Sequence, residues 1–144
     1  MPAWLMYAFL SALAAAFVGI FGKLGMKDID SNAATIIRSI FMTLFLIAFG
    51  MATRLWPRMQ GLPGKAMVAI ALSGVAGAVS WLFYFKALQV GSLSKVAPID
   101  KLSMPLAIVL AVLILGDRPT LVNWMGIGLI AAGAYLATWR GAGR

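Results

Sequence analysis

Five stretches of about 20 mostly apolar residues follow one another with short links between them, and that spacing leaves the chain few folds to choose from. They run at about Ala3 to Gly22, Ala33 to Trp56, Ala66 to Leu88, Ser94 to Leu115 and Thr120 to Trp139. A helix of that length crosses a hydrocarbon core of roughly 30 Å while satisfying its own backbone hydrogen bonds, which lipid cannot do for it. Hydrophobic residues make up 62% of the 144, with a mean hydropathy of +0.96, against roughly 45–50% apolar residues in soluble domains. With only 12 basic and 4 acidic residues, no polar segment is long enough to build a second domain. The sequence therefore reads as an all-α membrane protein, a single domain over residues 1–144 with five transmembrane helices. Met1 to Trp4 carry no side-chain charge and four further apolar spans follow, so the first stretch reads as a retained helix rather than a signal peptide.

The links carry stop and start chemistry. Asp30, Ser31 and Asn32 can cap the second helix, and Pro57, Pro63 and Gly64 break the chain before the third. Gly91 and Ser92 mark the next turn, and Gly116-Asp-Arg-Pro119 makes a tight link in which Pro119 suits a first helical turn. Trp4, Trp56, Trp124 and Trp139 fall near span ends, where indoles favour the interface. Ala15 and Gly19, Ser73 and Gly77, and Gly133 and Ala137 are small pairs four residues apart, suited to close helix packing in lipid.

The net charge of +8 would suggest nucleic acid in a soluble protein. Here the basic residues mostly flank the spans, so the expected surroundings are membrane lipid, with no nucleic-acid partner. Arg54, Arg58, Lys65 and Arg118 fall on one side, and Lys23, Lys27, Arg140 and Arg144 on the other, which gives no bias. Adding the deeper Arg38, Lys86, Lys95 and Lys101 favours a cytoplasmic C-terminus. The sequence has no Cys, His or Glu, which removes thiolate and imidazole metal sites, Cys nucleophiles and paired-acid catalysis. Neither an enzyme nor a bound cofactor is expected.

The run Lys95-Val-Ala-Pro-Ile-Asp-Lys-Leu-Ser103, then Leu115-Gly-Asp-Arg-Pro-Thr120 and Asn123-Trp-Met-Gly-Ile-Gly-Leu-Ile-Ala-Ala-Gly133, resembles the EamA-type domain of the drug/metabolite transporter superfamily. The likeness is to the five-helix, single-domain bacterial and archaeal branch, and extends to Gly22-Lys-Leu-Gly25, Asp30-Ser-Asn32, Arg38 and Trp81 through Leu88. One departure is Asp117, where the family usually has Glu; another is Pro119, where an aliphatic residue is common. The resemblance implies one half, a single repeat, of the larger members' fold, in which two units form inverted repeats with the substrate path between them. It implies a secondary transporter of a small solute (metabolite, amino acid or drug-like compound), multi-pass in the cytoplasmic membrane of a prokaryote. One unit then needs a partner. Near-even link charges allow an antiparallel homodimer working by alternating access, and a paralogous subunit of opposite orientation is the competitor. A lipid-linked substrate flippase and a non-transporting accessory subunit are the other readings.

Candidate site residues come from helix faces. Ser73, Gly77, Ser80, Trp81 and Tyr84 share one face of the third helix, and Tyr7, Ser11 and Ala15 one face of the first. Isolated hydroxyls usually bond their own backbone, but a stripe flanked by Trp and Tyr suits a wet, solute-lined cavity formed by helices one, three and four. Pro98 and Pro105 interrupt the fourth helix, as at the broken helices of transporters. Asp100, Lys101 and Arg38 are charges inside spans, where ionisable groups pair and face protein or water. An Asp100 to Arg38 pair is expected, serving either packing or a transport cycle. Because the chain has no native cysteine, single replacements at Ser73, Gly77, Ser80 and Tyr84 should react with water-soluble thiol reagents, while those at Val75, Val79 and Leu82 should not. Equal labelling of the two sets would remove that cavity face.

Overall fold

The computed structural model describes residues 2–139; Met1, Arg140 and Arg144 lie outside the described residues. Six helices follow in order: α1 (Ala3–Gly25), α2 (Ser31–Ala52), α3 (Gly64–Val90), α4 (Leu93–Asp100), α5 (Ser103–Leu115) and α6 (Leu121–Thr138). Because α4 and α5 together occupy one membrane-length segment, Leu93–Leu115, the five expected spans are present. There is no strand among the described residues.

The helix ends follow local chemistry. Asp30 starts α2, its Oδ1 accepting from the backbone N–H of Asn32 at 2.9 Å and of Ala33 at 3.2 Å. The helix ends at Ala52 rather than near Trp56, because Arg54 takes a φ of 51° and the chain then forms a single 3₁₀ turn at Trp56–Met59. Thr120 starts α6, its Oγ1 accepting from Asn123 N–H at 3.3 Å. Pro119 thus stands one residue before that cap instead of inside the first turn. Gly116 ends α5 with a φ of 75°, a left-handed conformation costly for any residue with a side chain.

The break in the fourth span lies between the two prolines. Pro105 has no N–H, and its ring crowds the carbonyl four residues back, that of Lys101. The chain tightens there: Leu102 N–H bonds Ile99 O at 3.0 Å, and Met104 N–H takes up Lys101 O at 3.0 Å. Pro98 sits inside α4 without ending it.

The chain forms two compact units, one up to Gln89 and one from Val90. In the second, α6 packs on α4 and α5. Ile127 and Ala134 are its buried residues, seven apart and so on one face; the small pair Gly133 and Ala137 is exposed.

The first unit is knit at one end, where α1 finishes, α2 begins and α3 finishes. Gly19, Met26, Ser31, Thr35, Phe85 and Leu88 are buried there. Lys23 Nζ donates to the carbonyl of Leu88 near the C-terminus of α3, a favourable place for a cation. Gln89 clamps the α1–α2 link from both sides of its amide: Nε2 donates to Ile29 O and Oε1 accepts from Ser31 N–H, each at 3.3 Å. Where the Phe85 ring meets α1, a methyl group on Gly22 would overlap Cε1 of Phe85 and stand 3.0 Å from Cζ. Gly22→Ala should therefore destabilise the fold by about 1–3 kcal/mol, read as thermal unfolding in detergent. Phe85→Leu in the same chain should recover part of the loss. Gly25→Ala is the control, since its added methyl meets nothing within 4 Å.

Candidate functional site

Above the knit end of the first unit, α1, α2 and α3 border an open-sided cavity of about 470 Å³, with Phe21 and Phe41 of its lining exposed. Its lining obeys helical spacing. From α1 come Ala14, Phe17, Val18, Phe21, Gly22 and Gly25, and from α2 Ala34, Ile37, Arg38 and Phe41, each set stepping by three or four residues along one face. Ile29 of the link and Phe85 of α3 complete it. Among the described residues Arg38 is the only charged one in the lining.

Arg38 lies about 10 Å along α2 from Ser31 at 1.5 Å per residue. A charge held at the bilayer centre costs about 2.5–3.5 kcal/mol on insertion scales, so its surroundings must compensate. Trp81 supplies one part: the guanidinium carbon stands 3.7 Å over the indole centroid, with the Phe85 ring at 5.7 Å. Trp81 is braced in turn by Tyr84, edge-on at 5.6 Å, and by Phe85 at 5.6 Å. Cation–π contact uses the face of the guanidinium and leaves its in-plane N–H donors free to bond. Nη1 is buried and has no hydrogen-bond partner among the described residues.

The expected site residues divide accordingly. Arg38, Trp81 and Tyr84 come together in this half-buried aromatic cluster. Tyr7 and Ser11 are exposed, yet they occupy the face that continues through Ala14, Val18, Phe21 and Gly25, on the turns leading to the cavity. Ser73 and Ser80 are exposed and Gly77 half-buried, but Val75, Val79 and Leu82 are exposed as well, so burial does not separate the two faces of α3. A second groove of about 410 Å³ runs between α2 and α3, with Ala78 and Leu82 in its wall.

Through Thr35, Ser39 and Thr43 that groove also holds part of a feature sequence reasoning missed. Ser31, Thr35, Ser39 and Thr43 repeat every four residues. Thr35, Ser39 and Thr43 each donate to the carbonyl one turn back, at 2.8, 2.8 and 2.9 Å. Their strict spacing on one face of α2 was the available signal. The self-bonded hydroxyls explain how an apolar helix carries them. Also missed were Phe17, Phe21, Phe41 and Phe85, whose pattern in sequence is that of ordinary packing.

In the second unit Asp100 is bonded to its neighbour Lys101, Oδ2 to Nζ at 3.3 Å, with the side chains 32% and 54% exposed respectively. Successive residues on a regular helix point about 100° apart; the break at Lys101 and the long lysine stem allow the contact. Pro98 lies one turn before that break and Pro105 one turn after it.

The fold is a multi-pass membrane protein of five spans, with an apolar cavity holding one guanidinium at membrane depth. The chain belongs to the EamA-like transporter family, whose model matches residues 2–139. It is similar to a protein of Sinorhizobium sp described as "Uncharacterized transporter in cobO 3'region", 42% identical over 133 residues, covering 92% of this chain and 94% of that one. No solved structure gives a significant match.

Proposed function

We propose that this chain is a secondary transporter that moves a small solute across the cytoplasmic membrane of a prokaryote, as an antiparallel dimer with alternating access. The observation that carries the reading is the cavity among α1, α2 and α3, with the buried, unpartnered Nη1 of Arg38 in its wall. An intramembrane ionisable group is costly, and a solute that satisfies it at one stage of a cycle gives it a use. The knit end, closed by Lys23 on Leu88 and by Gln89 on Ile29 and Ser31, supports a state shut at that face. The relative named as a transporter, alike over nearly its full length, supports transport over an accessory role.

In this reading Asp100 exchanges Lys101 for Arg38, a proton or the solute during the cycle, and Pro98 and Pro105 frame the hinge. A single five-span unit supplies half of an inverted-repeat path, and a second copy in the opposite sense supplies the other half. A paralogous subunit would serve the same geometry.

Reporters fused after Arg144 should signal from both sides of the membrane. A single-sided signal with no paralogous subunit present would sink the antiparallel homodimer. Growth and uptake over a panel of metabolites, amino acids and toxic cations identifies a solute, and Asp100→Asn is then measured for its transport. The pair with Lys101 is half-exposed, so the variant should remain a folded dimer while transport or its coupling is lost. Normal transport at every pH would remove Asp100 from the mechanism.

A further inference from the structure

The cavity of the first unit joins three properties that together specify a ligand. Its walls are apolar and rich in aromatic rings, with Phe17, Phe21, Phe41 and Phe85 contributing. Among the described residues its one charged lining residue is a cation, and no acidic side chain lines it to receive a positive group. That cation has its face covered by Trp81 at 3.7 Å, while Nη1 remains buried without a partner. The indole covers one side of the guanidinium, whose N–H groups still need an acceptor. A planar carboxylate is the group whose geometry matches a guanidinium edge. A volume of about 470 Å³ falls in the range that encloses a drug-sized molecule.

We infer that this cavity binds an amphiphilic monoanion: a carboxylate that accepts from Arg38, attached to an apolar or aromatic body lying among the phenylalanines. The inference rests on the transport reading and narrows it to one substrate class. Cations are disfavoured by Arg38 itself. Zwitterions such as free amino acids are disfavoured because their ammonium group would meet no acidic side chain among the described lining residues. The anion has one charge to place because the lining offers one cation.

The test uses the full chain in nanodiscs of phosphatidylcholine, which brings no anionic lipid, and measures equilibrium binding of radiolabelled 4-phenylbutyrate. Its amine counterpart 4-phenylbutylamine and the zwitterion homophenylalanine serve as competitors. The anion should bind saturably and neither competitor should displace it. Arg38→Gln should weaken binding by roughly ten- to a hundred-fold, the loss expected for a hydrogen bond to a charged group. Ala14→Trp, which fills the cavity and keeps Arg38, should abolish it. Should Arg38→Gln fail to fold, the competitor series on the unmodified chain and Ala14→Trp still decide. The inference is overturned by no saturable binding, by equal competition from the amine, or by a folded variant that binds unchanged. It is also overturned if phosphatidylglycerol in the nanodisc displaces the probe, since the occupant would then be a lipid. Binding is read without transport, so flux of some other solute class through a chain that ignores 4-phenylbutyrate would overturn this inference and leave the transport reading standing.

Discussion

Phe85 packs against α1 because Gly22 offers no side chain at that point, and much of the first unit follows from this contact. In lipid the hydrophobic effect does not drive helices together, so close approach and hydrogen bonds must do it. The ring sits over Gly22, one of three glycines on α1 and the one whose missing side chain leaves it room. Its burial fixes the turn of α3 that carries Trp81 and Tyr84. Trp81 can then lie flat on Arg38, and the guanidinium is tolerated within the span. One small residue on α1 thereby governs the placement of a charge on α2, through two aromatic side chains of α3.

The same arrangement explains why one end of the unit is tight and the other loose. Near Gly22 the polar groups that finish α1 and α3 and begin α2 are spent on one another. Lys23 covers the Leu88 carbonyl, Gln89 holds the link on both edges of its amide, and Asp30 occupies the first N–H groups of α2. Toward the other end, Tyr7 and Ser11 continue the cavity-lining face of α1 and remain exposed. The guanidinium of Arg38 thus stands between the tightly bonded end and the exposed face of the first unit.

The spans were legible because length and hydropathy alone decide them, and no competing fold hides so much apolar surface. Their ends were legible only where a cap carried the information: Asp30 is a strong signal, whereas the early stop of α2 depends on a left-handed Arg54 that no residue type announces. The proline pair signalled a break, and sterics at the Lys101 carbonyl place it. The cavity's place was not legible: the sequence put one among helices one, three and four, whereas this one lies among α1, α2 and α3. Arg38, Trp81 and Tyr84 stood out because charge and aromatic dipoles are rare inside spans, but the phenylalanines around them follow the three-and-four spacing of any buried helix face. Which of several apolar faces encloses space depends on how three helices meet, and one sequence does not encode that locally.

The break in the fourth span bears on the remaining charges. Asp100 and Lys101 stand where α4 stops and α5 is about to begin, so Lys101 meets the negative end of one helix dipole and Asp100 lies within a turn of the positive end of the next. Pro105 forces that junction by denying the Lys101 carbonyl its usual donor, and the tighter bond from Met104 N–H replaces it. An unbroken helix would offer neither dipole end, and both charges would depend on partners elsewhere. Because the junction stabilises each charge by itself, Asp100 need not keep a single permanent partner.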